Sequence, residues 1–169
     1  MWSPSDSFEI PLDDWVSDAI KGWLVPNFRE VFQAIKVPIA AVLENLDVAL
    51  NAIPMPVFTI ALALLAWLVA TRGVALFTLV SLVFLDLIGV WSDTMTTLAM
   101  ILTAVLFCAV VGVPIGIAAA RSDRVANAVR PVLDIMQTIP PFVYLVPIVM
   151  LFGVGMAPGI IATIIFALP

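Results

Sequence analysis

The sequence predicts an all-α, polytopic membrane helical bundle, and three observations carry that prediction. Hydrophobic residues fill 63% of the 169 positions and charged residues only 11%, a balance outside the range of water-soluble domains. Charge-free apolar runs of near-spanning length recur along the chain, separated by short polar breaks. After Asp134 no charged residue occurs, and the tract IMQTIPPFVYLVPIVMLFGVGMAPGIIATIIFALP could be covered only by lipid or by other membrane protein.

Charge divides the chain. Eight of the twelve acids precede residue 48, and four of the seven bases follow residue 70, so residues 1–52 form an acidic tail. Within it Leu12, Trp15, Val16, Ile20, Trp23 and Leu24 recur at helical spacing, opposite Asp13, Asp14, Ser17, Asp18 and Lys21. After Pro26, Asn27 suits an N-cap. A second pattern then runs through Phe28, Val31, Phe32, Ile35, Ile39, Val42, Leu43, Leu46 and Leu50, with Pro38 expected to kink or divide it. Two coverings fit these stripes: the outer leaflet, under an interfacial helix pair, or the protein's own membrane domain.

Charge-free length then places four complete spans and one incomplete one. Ile53–Ala70 is followed by Val74–Trp91, the two transmembrane helices of residues 53–93. A tight turn at Ser92 and Asp93 leads into Thr94–Ala120. The fourth span covers Ile139–Met156, and Gly153, Gly155, Pro158 and Gly159 supply the turn after it. Beyond Gly159 the residues are fewer than the roughly 20 needed to cross a bilayer, so the chain reads as an N-terminal fragment truncated within its fifth span. Arg72 follows the first span and Arg121, Arg124 and Arg130 form a polar loop after the third, while the loops after the second and fourth carry no base. The arginine loops are therefore expected in the cytoplasm and the N-terminal tail outside.

Chemistry is largely excluded. There is no histidine, and the single cysteine, Cys108, lies in an apolar segment. No disulfide, no metal site, no catalytic group and no phosphate-cradling loop can be assigned. Energy must come from a partner subunit or an ion gradient. Asp86 is the one ionisable residue inside the spans. It is a proton- or cation-site candidate by depth, but its place five residues before Trp91 favours snorkelling to the headgroups. Pro114, between Gly112 and Gly116, is a packing element or hinge. Pro140 and Pro141 should break the helix, leaving the arginine loop and the turn after it as a separate short cytoplasmic helix angled to the fourth span, and Pro147 should bend the next turn. Gln137 and Thr138 precede that break, while Phe142 and Tyr144 could line a pathway for a cationic solute. The same groups could equally serve packing alone.

The segments TLAMILTAVLFCAVVGVPIGIAAARS, RPVLDIMQTIPPFVYLVPIVMLFGVG and PGIIATIIFALP resemble permease subunits of binding-protein-dependent ABC importers, of the branch that imports glycine betaine, proline betaine and choline. The resemblance covers roughly Thr94 to Pro169. It implies a type I importer permease fold, of which residues 94–169 would be the first part. Its implied setting is the cytoplasmic (inner) membrane, crossed several times, with lipid around the bundle. The implied partners are a second permease copy, two cytoplasmic ATPase subunits holding ATP and an external substrate-binding protein, with no nucleic acid. The permease itself would be no enzyme and bind no cofactor. The family's Glu-Ala-Ala coupling loop would lie beyond Pro169. An importer for another small solute, such as methionine or another amine, and a non-transporting membrane scaffold are the competing readings.

Overall fold

A computed structural model describes Trp15, Asp18, Gly22 and residues 25–169. The first amphipathic pattern, Leu12 to Leu24, lies outside the described residues except at Trp15, Asp18 and Gly22. The described chain is all-helical: α1 (Val25–Asn51), α2 (Met55–Val69), α3 (Arg72–Leu87), α4 (Trp91–Arg121), α5 (Asp123–Thr138), α6 (Pro141–Phe152) and α7 (Met156–Ala167).

The second pattern of the acidic segment forms α1, which starts at Val25 rather than at an Asn27 cap and runs through Pro38 undivided. It packs against α4, α6 and α7, burying Ile39 and Leu43 in the common core with Ala99 and Ala104 of α4, Ile148 of α6 and Ile160 and Ile161 of α7. The end of α1 is tied to the start of α4: Ser92 Oγ donates to Asn51 Oδ1 (3.1 Å), and Asn51 donates to the carboxylate of Asp47 (3.1 Å).

α2 and α3 pair chiefly with each other as a hairpin, and among the described residues α3 also meets α4 lightly. Its seam is built from Thr59, Ala63, Ala75 and Leu82. Three of these are small, which lets two backbones approach closely where lipid supplies no hydrophobic drive.

Span lengths differ from the sequence expectation. α2 has 15 residues, α3 has 16, and α6 and α7 have 12 each. Among the described residues only α4, at 31 residues, is by itself long and apolar enough to cross a membrane. Up to three crossings result if each bent pair counts as one: residues 30–51 with α2 (96°), and α5 with residues 142–152 (101°). The first, second and fourth expected runs exceed their helices because their turns are apolar, whereas the third, Thr94–Ala120, falls short of α4. The α3–α4 turn lies at Ile88–Val90, where Gly89 takes φ 78° and the Val90 amide reaches the Leu85 carbonyl (3.2 Å), a glycine-closed helix end. Ser92 and Asp93, expected as the turn, belong to the first turn of α4. Likewise the α6–α7 turn is Gly153–Gly155 (φ 84° and 148°), with Pro158 and Gly159 already inside α7.

Pro114 and Pro147 do not interrupt α4 or α6, whose helical assignment continues through both. At about 46 Å, α4 exceeds the roughly 30 Å hydrocarbon layer. Its buried stripe is Met95, Ala99 and Thr103, with Ala104 alongside. A Cβ on Gly112 would meet the Leu168 side chain at 3.4 Å, so glycine there permits the close approach of the chain after α7.

Candidate translocation site

The arginine-bearing segment forms the separate helix expected before the prolines. Ser122 turns the chain in an extended conformation (φ −150°, ψ 116°), and α5 begins at Asp123. Arg121 ends α4, whereas Arg124 and Arg130 lie on the exposed face of α5. Val125, Ala126, Val129, Leu133 and Met136 are its half-buried residues. They repeat at 3.6-residue spacing, and that periodicity outweighs the local charge in deciding the structure.

α5 ends where the two prolines dictate. The residue before a proline is pushed to extended geometry, and here two such residues are consecutive: Ile139 (φ −84°, ψ 127°) before Pro140, and Pro140 (φ −55°, ψ 139°) before Pro141. Two extended residues suffice to turn α6 sharply from α5. Pro141 then opens α6, where its missing N–H costs nothing.

Pro140 has no N–H for the Met136 carbonyl, whereas Ile135 O keeps the Ile139 amide (3.3 Å), and two candidate residues donate to this helix end. Tyr144 Oη donates to Ile135 O (2.9 Å) and Met136 O (2.8 Å), and Thr138 Oγ1 donates to Ile135 O (3.2 Å). The tyrosine ring is half-buried against the core. Tyr144 is thus a clasp across the break. Phe142, two residues earlier, projects from a different side of α6. It is 81% exposed and lines a shallow apolar groove of about 190 Å³ with Leu145, Ala162, Thr163 and Phe166. Gln137 is exposed, and its amide has no partner among the described residues. The geometry therefore joins Thr138 to Tyr144 and leaves Gln137 and Phe142 apart from them.

The far end of α6 is met by Lys36 of α1, a residue the sequence alone did not mark as part of a site. Lys36 Nζ donates to the Phe152 carbonyl (2.8 Å), and the Phe32 and Phe152 rings meet edge to face at 5.3 Å. A cation at a helix C-terminus satisfies an orphan carbonyl and the helix dipole together. The available signal was positional: Lys36 lies on the stripe of Phe32, Ile39 and Leu43, where a charge needs a specific partner. α6 is therefore held at both ends, by Tyr144 at the break and by α1 at the glycine turn.

Asp86 is exposed in the last turn of α3, and no partner for its carboxylate occurs among the described residues. It lies near the hairpin end where Phe58 and Trp91 pack edge to face at 5.8 Å. No cluster of three His, Cys, Asp or Glu residues able to hold a metal occurs among the described residues.

A bundle of short apolar helices with a proline-broken pair is the architecture of a membrane transport component, and comparison with known proteins agrees. Residues 112–169 match the family "Binding-protein-dependent transport system inner membrane component". It is 54% identical over 95% of its length to the glycine betaine/proline betaine transport system permease protein ProW of Escherichia coli (strain K12), covering 45% of that protein. The glycine betaine transport system permease protein OpuAB of Bacillus subtilis (strain 168) is 43% identical over the same share, with 56% of it covered. The glycine betaine/carnitine transport permease protein GbuB of Listeria monocytogenes serotype 1/2a (strain 10403S) is 36% identical, with 57% covered. The chain thus spans about half the length of the curated relatives it matches.

Proposed function

We propose that this chain contributes to the translocation pathway of an ATP-driven importer for quaternary-amine compatible solutes, with glycine betaine and proline betaine foremost and choline beside them. The observation that carries the proposal is the 54% identity, over 95% of the chain, to a permease named for the first two solutes. The broken α5–α6 pair supports it, because discontinuous helices place freed backbone groups beside transport pathways. Carnitine is the second reading, favoured by the 36% identity to a permease named for it.

In this proposal the permease hydrolyses nothing. Two copies form the pathway, cytoplasmic ATPase subunits hold and split ATP, and an external binding protein delivers the solute. ATP-driven closure of the ATPase pair shifts the permease between inward- and outward-open states. The chain crosses the inner membrane several times, with the arginine-bearing ends of α3, α4 and α5 in the cytoplasm and the N-terminal segment outside.

Substrate class is tested by competition in cells carrying the full-length protein with its partners and lacking other betaine uptake. Labelled glycine betaine should accumulate and be displaced by excess proline betaine but not by excess methionine. Displacement by methionine alone would assign the pathway to a different solute.

A further inference from the structure

The α2–α3 hairpin carries a groove that the transport proposal does not use. Its walls come from Ile60, Leu64 and Trp67 on α2 and from Arg72, Leu76 and Leu79 on α3. Positions 60, 64 and 67, like 72, 76 and 79, lie on one face of their helix. Between the walls, buried Ala63 and Ala75 keep the floor low. The space is about 330 Å³, and from Trp67 to Ile60 it runs about 10 Å along the helix.

Its lining is aliphatic except at one end. There the Arg72 guanidinium lies 5.9 Å from the Trp67 ring centre, and Arg72 makes no ion pair with any described residue. Arginine and tryptophan together at the end of two apolar helices mark headgroup depth. The groove therefore leads from the headgroup level toward the bilayer centre.

We propose that this groove binds an anionic phospholipid, with its phosphate on Arg72 and an acyl chain between Leu64 and Leu76. Charge complementarity selects this occupant. A second copy or another helix would have to bring both an aliphatic face and a carboxylate at the height of Arg72, and no described acid pairs with Arg72. A phospholipid supplies hydrocarbon and anion in one molecule, spaced as the groove spaces its walls and its cation. Trp67 contributes by holding the guanidinium over its ring.

The test uses the full-length protein with the photoreactive residue benzoylphenylalanine at Leu79, in nanodiscs of equal parts phosphatidylglycerol and phosphatidylcholine. Crosslinked lipid is identified by mass spectrometry. Phosphatidylglycerol should be captured about fivefold over phosphatidylcholine, the discrimination one cation provides at an anionic surface. R72Q should bring the ratio close to one, and R72K should keep most of it. An equal preference in R72Q and the parent overturns the proposal. So does capture of protein in place of lipid, which would show the groove covered by another segment or a second copy.

Discussion

Replacing Ile160 with alanine is expected to destabilise the full-length protein by about 2 kcal/mol or more. Ile160 is 1% exposed and lies where α7 meets α4 and α1, in the cluster with Ala99 and Leu43. In a membrane the removed methyl groups lose little transfer energy, because lipid is as apolar as the core. What remains is lost packing and the void, which backbones already in contact cannot collapse to fill. Val110→Ala, at a position 62% exposed on the same α4, should cost under about 0.5 kcal/mol. Thermal unfolding in detergent reads both, and equal losses at the two sites would show that α7 does not seat on α4 as described.

The second large effect is expected at the helix break. Replacing Pro140 and Pro141 together with alanine removes the pressure for extended geometry at Ile139 and residue 140 and restores two backbone donors. The chain can then continue α5 into α6, straightening the 101° bend and pulling Tyr144 from the Ile135 and Met136 carbonyls. Uptake should fall at least tenfold while the protein still reaches the membrane and still binds its ATPase partner. Tyr144→Phe tests the clasp separately. It deletes the hydroxyl and should cost about 1 kcal/mol of stability, with a smaller loss of uptake. If the double variant transports like the parent, the break is architectural only.

Several of these features were legible in the sequence and others were not, for identifiable reasons. The membrane class followed from composition, and the break followed from adjacent prolines, because both effects are local. Span lengths did not, since an apolar turn such as Gly153–Gly155 and an apolar helix have the same hydropathy. The separate short helix before the break was expected from the prolines and is α5, but its length, back to Asp123, is set by the stripe of Val125, Val129, Leu133 and Met136. The stripe of α1 was visible, but a stripe does not say what covers it, and the contacts with α4, α6 and α7 answer that only in three dimensions. The partners of Lys36 and Tyr144 are backbone carbonyls, which a sequence does not display. Tyr144, chosen for its ring, owes its described contacts at the break to its hydroxyl.

In the proposed function, the energy that drives the pathway is supplied by another subunit. Proteoliposomes holding the full-length permease and its ATPase subunit test it most directly, with the solute-loaded binding protein on the outer side and ATP inside. Labelled glycine betaine should accumulate against its gradient only when all three are present. An ATPase subunit unable to hydrolyse ATP should abolish accumulation. Uptake that persists with the inactive ATPase, or that an ion gradient drives in its absence, would contradict the account.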